Sequence, residues 1–136
     1  MSGEKKLAKL LRNMSPELLP GDFVFCSFEN SRYGDHADLQ PVACFMESEG
    51  LTLVVPRSKA DEQALGYESV FSCITLNVHS DLEAIGLTAA FATKLTQRGI
   101  SANVIAGYFH DHIFVQQELA QKALAALEEL TCPPAT

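Results

Sequence analysis

The 136-residue sequence predicts a mixed α/β (α+β) fold made of two related halves. Residues 69–130 alternate strand-like and helix-like patterns in the order β-α-β-β-α. Residues 42–65 and 102–127 each show a hairpin followed by a helix. The length fits one domain or two small halves that share a core. We therefore expect the two halves to fold together.

The composition indicates a globular protein of the cytoplasm, because 47% of the residues are hydrophobic and 20% are charged. No apolar run approaches the roughly 18 residues that a membrane span requires. The charged N-terminus lacks the apolar segment of a signal peptide. With 17 acidic and 10 basic residues the net charge is −7, which disfavours nucleic acid as a partner.

In the N-terminal half, apolar spacing predicts an amphipathic helix over residues 4–14. Ser15-Pro16-Glu17 predicts a further helical turn, with Ser15 as its cap and Pro16 at its first position. The later elements expected in this half are a strand at 22–28, a surface loop at 29–40, a hairpin of strands 42–47 and 51–55, and a helix at 59–65 capped by Ser58 and ended by Gly66.

The C-terminal half begins with a long predicted strand over residues 70–79. Ser80 and Glu83 have the spacing of a capping box and predict a helix over 82–98 that ends at Gly99. Its expected buried stripe consists of Leu82, Ile85, Ala89, Ala92 and Leu95. Two strands at 102–109 and 112–115 are expected around a turn at His110-Asp111, followed by a helix over 118–130 with Leu119, Ala123, Leu127 and Leu130 facing inward.

The turn between the long strand and the following helix is the first candidate binding site. A helix N-terminus presents unpaired backbone N–H groups and suits a carboxylate. Gly86, within this predicted helix, costs about 0.8–1 kcal/mol relative to alanine, which is tolerable where a ligand or another backbone must come close. Plain helix–strand packing is the alternative. Asp81 and Glu83 either complement the helix dipole or receive a ligand's ammonium group.

The second candidate is His110-Asp111-His112, whose two histidines are spaced for a metal on a strand but are expected to straddle the hairpin turn. Turn chemistry, with a polar contact to a ligand or a neighbouring subunit, is the favoured interpretation. No enzyme motif is present in the sequence. A nucleophile pair would require Cys73 with His79 or His110.

The four cysteines contain no C-x-x-C pair. Three of them lie in strand-like runs and are expected to pack as reduced thiols. These three are Cys26, Cys44 and Cys73.

Residues 74–90 and 99–115, together with 19–26 and 49–54, resemble the ACT domain, and in particular small stand-alone bacterial ACT-domain proteins. The ACT modules of aspartate kinase and of arginine-sensing proteins are more distantly similar. The resemblance implies ferredoxin-like β-α-β-β-α-β architecture in tandem. A degenerate N-terminal half would span 1–68 and a C-terminal ACT domain 69–136.

The resemblance also implies a ligand site and a function. Its ligand residues would be Ser80, Asp81, Ile85 and Gly86, with Asn103, Val104 and Ile105 opposite, and the residue patterns add Glu83 and His110. The expected function is a non-catalytic regulatory or sensor module for an amino acid or similar small zwitterion, without metal or cofactor, as a homodimer or higher homo-oligomer. The alternatives are a ligand-free oligomerisation module and, less favoured, a metal-binding protein or enzyme using His110 and His112.

Overall fold

The structure, a computed structural model, describes residues 3–77 and 86–131, with side chains from Leu7 onward. The α-helices of the described chain are α1 (Gly3–Asn13), α2 (Arg57–Glu62), α3 (Leu87–Gln97) and α4 (Ala120–Thr131). The strands are β1 (Ser15–Leu18), β2 (Phe23–Phe28), β3 (Ala43–Glu47), β4 (Gly50–Pro56), β5 (Phe71–Asn77), β6 (Asn103–Ala106) and β7 (Asp111–Gln116). Short 3₁₀ turns lie at Ala37–Leu39 and Gln117–Leu119.

The chain divides into two compact units. One contains the residues up to Leu19 together with those from Ser72 onward, and the other contains Pro20–Phe71. The N-terminal helix and first strand therefore belong to the same unit as the C-terminal elements.

In the first unit the strands lie in the order β1-β5-β7-β6. β1 pairs antiparallel with β5, from Ser15 opposite Asn77 to Leu18 opposite Ile74. The sequence predicted only β-α-β-β-α for this region, and β1 supplies the last strand of the ferredoxin-like β-α-β-β-α-β arrangement. This strand precedes the others in the chain.

The predicted helical turn at Ser15-Pro16-Glu17 is wrong, because these residues form β1. Their backbone pairs with β5, which lies far away in the sequence. Local sequence patterns cannot predict such long-range pairing. Pro16 lacks an N–H group, and it is tolerated because β1, among the described residues, pairs on one side only.

The core of this unit lies where α1, α3 and α4 cover one face of the sheet. On α3 the buried side chains are Leu87, Phe91 and Leu95, spaced four residues apart. Of the stripe predicted for this helix only Leu95 is buried: Ala89 is exposed and Ala92 half-buried, while Leu82 and Ile85 lie outside the described residues. The inward face predicted for α4 is confirmed, since Leu119, Ala123, Leu127 and Leu130 all pack against this core.

Helix α3 ends as predicted at Gly99, which has φ 73°. The Gly99 N–H donates to the Thr96 carbonyl at 3.0 Å, and the Ile100 N–H donates to the Leu95 carbonyl at 2.9 Å. This pair of bonds is the Schellman arrangement, and Ile100 and Leu95 both belong to the core.

The second unit contains an antiparallel sheet in the order β3-β4-β2. The predicted hairpin is confirmed, with Ala43 opposite Val54 and Glu47 opposite Gly50. The buried cluster of this unit is Val24, Leu39, Leu51, Leu53, Val55 and Ala60. Ser58 does not cap the following helix, because α2 begins at Arg57 with Pro56 as its N-cap.

The segment predicted as a surface loop at 29–40 contains the 3₁₀ turn Ala37–Leu39, whose Leu39 is completely buried. In the first unit the corresponding connection between strands contains the eleven-residue helix α3. The N-terminal half is thus the degenerate member of the tandem. Among the described residues no helix is long and apolar enough to cross a membrane.

An ion cluster links α3 to α4 and generates a stability prediction. Glu129 accepts a hydrogen bond from Arg98 and lies 2.8 Å from Lys94 Nζ. The Arg98 and Lys94 hydrogen bonds lower the pKa of the Glu129 carboxyl to about 2 from an ordinary 4.5.

Glu129→Gln should therefore lower the Tm slightly at pH 7, because an ion pair between exposed side chains such as Arg98 and Glu129 contributes little to stability. The Tm difference between E129Q and wild type should shrink as the pH falls from about 4.5 toward 2. Over this range the Glu129 carboxylate of wild type is neutralised, first in the unfolded chain and then in the folded chain. Scanning calorimetry across this range measures it, with Glu128→Gln as the control on the same helix. Equal Tm values for E129Q and E128Q at pH 7 would contradict the role of the cluster.

Candidate functional site

The structure describes only some of the residues that the sequence predicts to bind a ligand. Ser80, Asp81, Glu83 and Ile85 lie outside the described residues. The described candidates are Gly86, Asn103, Val104, Ile105 and His110. Gly86 belongs to the start of α3, three candidates lie on β6, and His110 lies in the loop before β7.

Gly86 is the N-cap of α3. The sequence had predicted it to be an interior helical residue, and that prediction is wrong. It has φ 94°, a left-handed conformation that side-chain-bearing residues rarely adopt. Its carbonyl accepts the first helical hydrogen bond from the Ala90 N–H at 2.9 Å. A Cβ at this position would lie 3.2 Å from Leu7 Cδ2. Both backbone conformation and space therefore favour glycine.

The start of α3 presents the backbone N–H groups of its first turn, at Leu87, Thr88 and Ala89, without intrahelical partners. Glycine contributes no side-chain acceptor to these groups. Because α3 is eleven residues long, the aligned peptide dipoles give this end partial positive charge. The local chemistry suits a small anionic group.

Strand β6 places its three candidate residues in different surroundings. Val104 lies opposite Ile113 and packs against the helix-covered core, so its backbone alone is available to a ligand. The Asn103 side-chain amide donates to the Phe114 carbonyl at 3.3 Å. Among the described residues β6 pairs only with β7, which leaves one backbone edge open.

The hairpin between β6 and β7 differs from its prediction. β6 ends at Ala106, and Asp111 pairs with Ala106 as the first residue of β7. The connecting loop is therefore 107–110, and the predicted turn at His110-Asp111 is wrong. His110 and His112 consequently follow the loop tip and do not straddle it. At the tip, Tyr108 is 79% exposed.

A polar pair that the sequence did not single out joins β5 and β7. Thr75 Oγ1 lies 3.0 Å from His112 Nδ1, and the Thr75 side chain is buried. Burial lowers the pKa of His112, and a charged His110 lowers it further, while Asp111 opposes both. Thr75 stands at a polar position of an alternating strand, but only the sheet register shows its partner.

The metal and nucleophile alternatives involve histidine and cysteine side chains of the C-terminal half. Across the described residues, no group of three or more His, Cys, Asp or Glu side chains could hold a metal ion. Burial raises the pKa of Cys73 to about 11, so its thiolate is scarce at neutral pH. His79 lies outside the described residues. Cys73 packs in the interior as expected, whereas Cys44 is exposed on β3 and does not.

Comparison with known proteins assigns the family. Two ACT-domain profiles match the sequence, one over residues 2–72 and the other over residues 68–129. The chain belongs to the ACT-domain family. Its two ACT matches agree with a tandem fold in which the second member contains α3 and the first does not. No match was found among curated proteins.

Solved structures show the same ACT fold. A protein of unknown function from Vibrio cholerae, described as a possible transport protein, is 58% identical with TM-score 0.86, covering 96% of this chain and 99% of that one. An Agrobacterium tumefaciens protein gives TM-score 0.68 at 15% identity, over 87% and 89%. The ligand-free regulatory subunit of Thermus thermophilus aspartate kinase gives 0.60 at 11%, over 86% and 95%.

Membership of the ACT family supports a regulatory ligand-binding module in general. Of the predicted ligand residues, the structure describes Gly86 at the head of α3, the three residues on β6, and His110.

The surroundings of His112 predict its titration. Since burial disfavours the imidazolium, the His112 resonance should titrate with a midpoint below the ordinary 6.5. The unfolded chain then binds protons more readily, so the free energy of unfolding should fall as the pH is lowered through 6.5.

A ¹H–¹³C NMR pH titration measures this midpoint, with His112→Gln assigning the resonance. The same variant should lose less stability than wild type between pH 7 and 5. A midpoint at or above 6.5 would show that the imidazole is not buried against Thr75.

Proposed function

We propose that this ACT protein is a non-catalytic regulatory or sensor module that binds an amino acid or a similar small zwitterion. Gly86 carries the proposal, because this left-handed N-cap of α3 has no side chain that could cap the first-turn amides. Family membership supports a regulatory ligand-binding role in general, and the chemistry of the site narrows it to a small carboxylate ligand.

The ligand's carboxylate would meet the N–H groups of the first turn of α3. A helix N-terminus binds carboxylates through unpaired amides and the positive end of the helix dipole. Gly86 allows close approach because it has no Cβ. Leu7 closes the space on one side, since a Cβ at Gly86 would already lie 3.2 Å from its Cδ2.

The main chain of the ligand would pair with the open edge of β6. Edge strands offer alternating N–H and C=O groups that an amino acid's ammonium and carboxylate can use. The backbones of Asn103, Val104 and Ile105 would supply these groups. The half-buried Ile105, which lies opposite His112, would contact the side chain of the ligand.

The ammonium group of the ligand would be held by Asp81 or Glu83, with Ser80 and Ile85 completing the turn and His110 adding a polar contact. The N-terminal half 1–68 and the C-terminal ACT domain 69–136 would act together as a cytoplasmic homodimer or higher homo-oligomer. We propose no cofactor, metal, membrane or nucleic-acid partner for it.

Differential scanning fluorimetry with each free amino acid at millimolar concentration tests the proposal. A binder raises the free energy of unfolding by mass action, by about 2.7 kcal/mol when its concentration is 100 times its Kd, and the Tm rises with it. Gly86→Ala should remove the shift, because the new Cβ strains the left-handed backbone by about 1–2 kcal/mol and lies 3.2 Å from Leu7 Cδ2, so the head of α3 must move.

Gly99→Ala is the matched control. Gly99 also has positive φ, terminates the same helix, and has nothing within 4 Å of a Cβ. Both variants should lose similar intrinsic stability, while G99A keeps the ligand-induced shift. A panel in which no amino acid raises the wild-type Tm would overturn the proposal and favour a ligand-free oligomerisation module.

A further inference from the structure

Helix α1 concentrates positive charge in an acidic chain. It contains four of the 10 basic residues and one of the 17 acidic residues, so α1 carries a net charge of +3 and the remaining chain −10. Its basic residues are Lys5, Lys6, Lys9 and Arg12. Lys5, Lys9 and Arg12 recur at intervals of four and three residues, which places them on one face of the helix. We call these three residues the basic face of α1.

The other side of α1 is used for packing. Leu7, Leu10 and Leu11 pack against the core of the first unit, whereas Lys9 and Arg12 are exposed. Among the described residues, neither Lys9 nor Arg12 forms an ion pair. Four cations elsewhere in the chain each pair with a carboxylate, namely Arg57, Lys59, Lys94 and Arg98. The basic face of α1 therefore presents charge to solvent that the described chain does not neutralise.

This charge pattern does not stabilise the helix itself. Lys5 and Lys6 lie in the first turn of α1, where the positive end of the helix dipole disfavours cations. Lys5 and Lys9 are like charges four residues apart, a spacing at which they destabilise a helix. Arg12, in the last turn, does complement the dipole. The basic face as a whole costs local stability, and an anionic partner outside the helix would offset that cost.

An acidic protein segment fits this face better than a membrane or a nucleic acid. Insertion into a lipid surface would require the leucines of α1, which already pack against the core. A nucleic acid or an anionic membrane extends beyond α1 and would meet the −10 charge of the remaining chain. A short acidic segment would contact α1 alone, because charges beyond a Debye length of about 8 Å are screened at physiological salt.

The packed side of α1 reaches the proposed ligand site. Leu7 Cδ2 lies 3.2 Å from the position of a Cβ at Gly86, the N-cap of α3. A ligand bound at this end of α3 would therefore bear on α1. The same helix contacts the proposed site on one side and presents cations to solvent on the other.

We propose that the basic face of α1 docks an acidic segment of a partner protein, and that ligand binding at the head of α3 changes the affinity of this contact through Leu7. The second clause rests on the proposed function, and the docking does not. By linkage, the docked segment changes the affinity for the ligand by the same factor.

Fluorescence anisotropy of a labelled glutamate–alanine peptide, with the full chain and no amino acid present, tests the docking. Wild type should bind the peptide with a Kd that rises as NaCl is added. Lys9→Glu/Arg12→Glu should raise the Kd by at least about tenfold, because attraction becomes repulsion. The milder Lys9→Gln/Arg12→Gln, which keeps good helix formers in α1, should raise it several-fold.

Arg12→Glu and Arg32→Glu form a matched pair of variants. Both arginines are exposed and both substitutions change the net charge equally, but Arg32 belongs to the other compact unit. R12E should raise the peptide Kd several-fold, and R32E should leave it nearly unchanged. A glutamine–alanine peptide should not bind to wild type. Circular dichroism and Tm confirm that each variant is folded.

Three results would overturn the docking. The first is a wild type that does not bind the glutamate–alanine peptide, and the second is an equal Kd for R12E and R32E. The third is tighter binding of phosphatidylserine vesicles or duplex DNA than of the peptide, lost in K9E/R12E, which would identify a lipid or nucleic-acid partner.

The effect of the ligand is measured separately. An amino acid that raises the wild-type Tm should change the peptide Kd by at least about fivefold. Leu7→Ala should abolish that change and Leu10→Ala should not, and an unchanged wild-type Kd would overturn the coupling. If the peptide docks while no amino acid binds, the proposed function alone fails; if an amino acid binds while the peptide does not dock, this inference alone fails.

Discussion

The pairing of Ser15–Leu18 with β5 is the interaction on which the C-terminal ACT domain depends. It completes the four-strand order, and it gives β5 a neighbour on each side, with five consecutive buried residues, Ser72–Leu76. Because Met14 immediately before β1 is buried, the same pairing brings α1 against α3 and α4. Leu7 on α1 then contacts the space beside Gly86. An N-terminal segment thus shapes the head of α3, far away in sequence.

Local patterns predicted the elements whose signals are local. The β3–β4 hairpin, the inward face of α4 and the Gly99 helix end all follow from alternation, helical spacing and glycine. β1 could not be predicted this way, because Ser15-Pro16-Glu17 has a good local helix-start pattern and its β partner lies about sixty residues away. Long-range pairing outweighs such weak local preferences.

In the candidate site, too, local sequence signals could be predicted and long-range contacts could not. Gly86 stood out in the sequence because glycine is costly inside a helix, but its true reason is a left-handed N-cap that moves the start of α3 to Leu87. The buried face of α3 therefore consists of Leu87, Phe91 and Leu95 and not of the predicted stripe. The β6–β7 tip was misplaced because Asp111 is a good turn residue, whereas Gly107 begins the actual loop. The Thr75–His112 contact depends on strand register and could not be read from either residue alone.

Together these features describe an ACT tandem in which one member has the helix α3 between its first two strands and the other, degenerate member has a 3₁₀ turn there. The central claim is that a small zwitterion binds at the head of α3. A ¹H–¹⁵N NMR titration with individual free amino acids tests it most directly. The account predicts saturable shifts confined to the amides of Leu87–Ala89 and the β6 edge. Absence of saturable shifts with every amino acid, or shifts confined to the Pro20–Phe71 unit, would contradict it.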